Sequence, residues 1–177
     1  HQGYYYLPDA DVINAGPMSD KDGKNLSQES AAKKMAAKMS HLPLEQALKI
    51  GDGKIKVVEF IDPNCFYCKQ SFQFFHARKK DVTLYVFFYP LSEDSRHKIR
   101  HILCSKDREK AFEDVLGGKL AADATLNACT DKDVDAIIQN HQQVSAKVGV
   151  RATPLFSIKG QAIPGFDQPA IEKLLAE

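Results

Sequence analysis

Cys65 and Cys68 flank Phe66 and Tyr67, a spacing at which one sulfur can attack a disulfide and the other can resolve the mixed disulfide that forms. Such a dithiol makes, breaks and reshuffles disulfides, and its position decides whether it reacts. The residues before it, Lys54-Ile55-Lys56-Val57-Val58-Glu59-Phe60-Ile61, are β-branched and aromatic and read as a strand; Asp62-Pro63-Asn64 ends it with turn residues. After it, Cys68, Phe72 and Phe75 recur at helical spacing. The pattern predicts Asn64 as the helix cap, Cys65 at about the first helical position, and Arg78, Lys79 and Lys80 in the last turn. A sulfur at a helix N-terminus faces unpaired backbone N–H groups and roughly half a positive charge, which stabilises a thiolate.

Three other features bear on that chemistry. Glu59 shares a strand face with Ile55, Val57 and Ile61. A carboxyl buried among apolar groups holds its proton and can pass it to and from the second sulfur, although alternation alone also fits an exposed strand glutamate. Thr153-Pro154 precedes the apolar run Leu155-Phe156-Ser157-Ile158. An X–Pro bond is cis only about 5% of the time, so the dipeptide by itself does not fix the geometry; beside a CxxC and a following strand it reads as cis. That bond would turn the Thr153 backbone outward to pair with an extended substrate. Finally, Cys104 and Cys129 are 25 positions apart, and joining them would contribute about 3.5 kcal/mol by loop closure. Cys104 follows Ile102 and Leu103 on an apolar helix face, which suits a structural bond, while His97, His101 and Cys104 at i, i+4, i+7 could instead hold zinc.

The elements that must position these residues follow from the rest of the chain. Its 177 residues suffice for one domain plus an appendage, with a core that needs no staples. A net charge of +1 with 27% charged residues carries no nucleic-acid-binding stripe and no acidic tail. No apolar run approaches the roughly 18 residues of a membrane span, no signal peptide is evident, and a start at His1 rather than Met reads as a processed or trimmed chain. Four cysteines fit an oxidising compartment.

Residues 1–24 read as the remnant of a small β unit, with Tyr4-Tyr5-Tyr6 and Val12-Ile13 as short strands. Residues 25–52 read as a linker helix region: Asn25 caps, Ala31, Met35 and Met39 form one face, Pro43 ends it, and 43–50 add a second helical turn. Residues 53–177 read as the catalytic unit. There a second buried strand at 82–89 implies a parallel crossover from the first. A largely helical insertion spans about 92–146, followed by strands at 155–158 and near Ala162-Ile163 and a last helix from Gln168. The class is α/β.

This ordered set resembles the bacterial periplasmic disulfide isomerases of the DsbC/DsbG family. The resemblance rests on the strand with Cys65-Phe66-Tyr67-Cys68, on Cys104-Ser105-Lys106-Asp107 with Ala111-Phe112 and Cys129, on Val148-Gly149-Val150 before Thr153-Pro154, and on Pro164-Gly165-Phe166. Gly16-Pro17-Met18, with Asp20 and Gly23, resembles the end of the family's dimerisation domain. The resemblance implies a thioredoxin fold with a helical insertion, preceded by a linker helix and a truncated β segment. It implies Cys65 as nucleophile, Cys68 as resolving thiol and Glu59 as the buried acid. Thr153 and Pro154 become the cis-proline loop, with Phe66 and Tyr67 beside it meeting substrate, and Cys104 with Cys129 the structural disulfide.

It further implies exported proteins as substrates, a DsbD-like membrane reductase as partner, a homodimer as the family's assembly, the periplasm as compartment, and no metal or small-molecule cofactor beyond the dithiol. Neither Phe66 nor Tyr67 is cationic, which predicts an intermediate redox potential. The competing readings are a DsbA-like dithiol oxidase, separable by glutathione equilibration, and a thioredoxin-fold holdase chaperone or zinc-binding module, separable by replacing both cysteines or by elemental analysis.

Overall fold

A computed structural model describes residues 5–7, 12–14, 23, 25–121 and 124–177. Strands β1 (Tyr5–Leu7) and β2 (Val12–Asn14) pair antiparallel as a two-stranded sheet of their own. Tyr4 and the Gly16-Pro17-Met18 segment lie outside the described residues. Helix α1 (Leu26–Met39) is capped by Asn25, whose side chain accepts from the Gln28 N–H at 3.0 Å. It places Met39 in the core.

Five strands form the main sheet: β3 (Leu48–Ile50), β4 (Ile55–Ile61), β5 (Val82–Phe88), β6 (Leu155–Ile158) and β7 (Gln161–Pro164). Their spatial order is β3-β5-β4-β6-β7, with β4 and β5 parallel and every other neighbouring pair antiparallel. Helix α2 (Phe66–His76) connects the parallel pair. Helices α3 (Glu93–Cys104), α4 (Arg108–Leu116) and α5 (Lys132–Val148) fill the connection from β5 to β6, and α6 (Gln168–Ala176) closes the chain. This is the thioredoxin arrangement with a helical insertion.

Alternation along β4 divides the core in two. Val57 and Ile61 pack with Phe72, Phe75 and Phe156, while Val58 and Phe60 pack with Val144, Val148 and Met39. The sheet is therefore covered on both faces, which suits the uninterrupted apolar runs of its central strands.

Several expected boundaries differ. Residues 48–50 form an edge strand on β5 rather than part of a helical turn, which is confined to Leu44–Gln46. Three residues are too few for periodicity to report, and burial of Leu48 and Ile50 on either side of exposed Lys49 decides for the strand. The insertion is helical only in part, since residues 117–121 and 124–131 contain no helix. Helix α2 ends at His76, before Arg78, Lys79 and Lys80, because the Arg78 carbonyl turns back to accept from Asp81 and Val82 N–H and starts β5. Gly53 lies so close to this turn that a Cβ on it would sit 2.0 Å from the Asp81 carbonyl carbon. At the C-terminus of α5, Gly149, at φ 81°, caps the helix in the left-handed conformation and launches the loop that leads to Pro154.

Candidate active site

The sulfur of Cys65 is itself the N-cap of α2 and accepts the Cys68 N–H at 3.3 Å. The cap thus falls one residue later than expected. Asn64 is engaged elsewhere: its side chain donates to Asp94 at 2.7 Å and Ser95 at 3.0 Å and accepts from Lys98 at 2.6 Å. The consequence for chemistry is direct, because the sulfur meets an unpaired helix N–H. Cys65 is part-exposed, and its thiol reaches the Thr153 carbonyl at 3.5 Å.

Cys68 lies one helical turn deeper and is 0% exposed. Burial pushes its thiol well above the ordinary range, the charge of Glu59 and a hydrogen bond with Cys65 add to this, and the Asp62 backbone and Thr153 side chain partly oppose it. Glu59 is likewise 0% exposed, on the α2 face of β4. Its Oε1 accepts from Ser71 Oγ at 2.5 Å, and its Oε2 has no hydrogen-bond partner. Burial raises Glu59 from 4.5 to about 8, with the Ser71 hydrogen bond pulling the other way. The exposed strand glutamate that alternation also allowed is thereby excluded.

The Thr153–Pro154 peptide bond is cis. Pro154 is buried, and its carbonyl accepts from Gly165 N–H at 2.8 Å, which ties the loop to the end of β7. Phe66 and Tyr67 project into solvent at 67% and 57% exposure, edge to face with ring centroids 5.4 Å apart. Together these residues give one half-open sulfur that reaches the Thr153 carbonyl and is followed in the chain by an exposed aromatic pair.

Cys104 and Cys129 are joined by a disulfide at the C-terminal end of α3, whose first turn contacts the Cys65 turn, with a Cα–Cα distance of 5.7 Å. That bond commits the Cys104 sulfur of the His97, His101 and Cys104 set. His101 is also occupied, its Nδ1 accepting from Asn127 N–H at 2.8 Å. Among the described residues no three His, Cys, Asp or Glu side chains group to hold a metal.

Two polar residues of the site escaped the sequence reading. Ser71 follows Cys68 by three positions and so shares its helix face; a hydroxyl among Cys68, Phe72 and Phe75 was the signal for a buried partner of Glu59. Asp62 read only as a turn former, yet its carboxylate is buried and accepts three hydrogen bonds.

A family described as Thioredoxin-like domain matches residues 42–177. The chain belongs to this thioredoxin-like family. Among relatives of this thioredoxin-like chain is the probable thiol:disulfide interchange protein DsbC of Bordetella avium, 36% identical over 158 residues, which cover 85% of this chain and 53% of the relative. The thiol:disulfide interchange protein DsbC of Escherichia coli K12 is 29% identical over 173 residues, 93% of this chain and 69% of the relative. The chain thus spans about half the length of the Bordetella relatives it matches. A solved disulfide interchange protein from Neisseria gonorrhoeae superposes with a TM-score of 0.60 at 26% identity, covering 76% of this chain and 96% of that one.

Proposed function

We propose that this thioredoxin-like chain exchanges thiols and disulfides in exported proteins, acting as a disulfide isomerase or reductase. The observation that carries the reading is the asymmetry of the dithiol: a half-open, helix-capping Cys65 over a buried Cys68 that holds its proton. In the first step the Cys65 thiolate attacks one sulfur of a substrate disulfide. A Cys65–substrate disulfide forms and the second substrate sulfur leaves as thiolate. If another substrate thiolate then attacks the mixed disulfide, Cys65 leaves unchanged and the substrate is isomerised with no net electron transfer. If Cys68 attacks instead, its proton passes to the Glu59 carboxylate, a Cys65–Cys68 disulfide forms, and two electrons have moved to the substrate.

Thr153 offers its backbone to an extended substrate on the open side of Cys65, and Phe66 and Tyr67 offer apolar contact beside it. The dithiol supplies the redox chemistry without a further cofactor. Restoring the reduced pair needs an external dithiol, a role suited to a DsbD-like membrane reductase. The periplasm is the compartment in which exported disulfide proteins and such a reductase meet, and the homodimer of the DsbC/DsbG family is the proposed assembly. Among the described residues no helix is long and apolar enough to cross a membrane. Replacement Cys65→Ser tests the reading: insulin reduction and refolding of scrambled ribonuclease should fall by about a hundredfold or more, and retained activity would overturn it.

A further inference from the structure

Asp62 is 1% exposed, and every partner of its carboxylate is an uncharged donor. Oδ1 accepts from the Asn64 N–H at 2.6 Å and from Ser95 Oγ at 2.8 Å; Oδ2 accepts from the Leu91 N–H at 2.6 Å. These donors belong to two pieces of chain: the turn that carries Cys65, and the stretch after β5 that runs from Leu91 into the first turn of α3. The main chain of the same residue acts in concert, since the Asp62 carbonyl accepts the Cys65 N–H at 3.1 Å. Asn64 extends the bracing through its side-chain contacts to Asp94, Ser95 and Lys98.

A turn former exposed to water needs none of this. One hydrogen bond to the residue two positions on closes an Asx turn. Here the carboxylate also joins elements 29 and 33 residues away in sequence, and a buried acceptor with three donors is a rigid junction, because losing any partner leaves a buried polar group unpaired. What the junction holds still is the turn that aims the Cys65 sulfur at the Cys68 N–H. A misplacement of about 1 Å in a reacting group costs up to a hundredfold in rate.

We infer that Asp62 is the positioning residue of the reaction: it clamps the 62–65 turn to α3 and to the segment after β5, so that Cys65 is held as the helix cap and reacts. Asp62 touches neither sulfur through its side chain and acts through the backbone of Cys65. The inference rests on the reading of Cys65 as nucleophile.

The clamp and the charge of Asp62 make opposite predictions. If the negative charge were what mattered, removing it would favour the Cys65 thiolate and speed its reactions. If the clamp matters, removing it lets the sulfur leave the cap and slows them. The test is the rate of Cys65 alkylation by iodoacetamide, together with kcat and KM for insulin reduction, in parent, Asp62→Ala, Asp62→Asn and Ser95→Ala proteins whose fold is checked by circular dichroism. Alkylation and kcat should fall by about tenfold in Asp62→Ala, with KM changed by less than about twofold. Asp62→Asn keeps one acceptor oxygen and should recover part of the loss, and Ser95→Ala, which removes a single tether, should lose a few-fold.

Parent-like or faster alkylation in the folded variants, or a loss confined to KM, would overturn the inference. Should Asp62→Ala not fold, Asp62→Asn and Ser95→Ala decide: a few-fold loss of alkylation and kcat supports the clamp, and parent-like or faster alkylation in both overturns it. Alkylation needs no substrate, so a parent that fails to reduce insulin would count against the proposed function and leave the alkylation series to judge the clamp.

Discussion

The carboxyl of Glu59 sits in the sheet core with one oxygen on Ser71 and the other bare, so it titrates at about 8 instead of 4.5. Between those values the folded chain holds a proton that the unfolded chain releases. Stability from this group is therefore present below about 4.5 and is lost as pH rises through about 8. Glu59→Gln cannot ionise and should lack that slope. Urea titrations of the reduced proteins at pH 5 and pH 8 should show the parent losing stability relative to the variant, by about 1.4 kcal/mol for each pH unit within the window; parallel losses would contradict the burial argument. The same variant should slow net insulin reduction by about a hundredfold, because Cys68 would have no carboxylate to take its proton, while alkylation of Cys65 continues. For Phe66 and Tyr67, exposed beside the nucleophile, the role proposed at the same scale is recognition. Replacing both with serine should raise KM for a protein substrate several-fold and leave the reaction with glutathione unchanged; an equal loss with both reagents would place the rings in the chemistry instead.

Among the elements, α2 and its flanking turns decide what the cysteines can do. Strand β4, the turn at 62–64 and the buried face of α2 were legible because β-branched runs, turn residues and helical spacing each report a local preference. The cap position was not, since whether Asn64 or Cys65 caps depends on side chains of α3 some 30 residues on, Asp94 and Lys98, that draw Asn64 away. Strand β3 was missed for a related reason: its three residues gain their identity from the open edge of β5 rather than from their own pattern. The Cys104–Cys129 bond ties α3 to the stretch before α5, and its contribution follows from the 25 residues it spans. Replacing both cysteines with alanine should lower unfolding free energy by about 3.5 kcal/mol, measured by chemical denaturation. A change below about 1 kcal/mol would mean that the unfolded chain is already constrained there.

At the scale of the molecule, the parallel β4–α2–β5 unit brings Cys65 to the carboxyl end of the sheet. The start of β6, entered through Thr153 and Pro154, brings the second wall of the site from more than 80 residues away in sequence. That meeting was legible only through the order of motifs, because no local pattern links residue 65 to residue 153. Burial then makes the two sulfurs unequal, and the proposed chemistry depends on that inequality. The direct test is to remove the resolving thiol. In Cys68→Ala, incubated with a disulfide-bonded protein substrate, a mixed disulfide should accumulate on the peptide that contains Cys65, be released by dithiothreitol, and be absent from Cys65→Ser/Cys68→Ala. No adduct, or an adduct that survives loss of Cys65, would contradict the account.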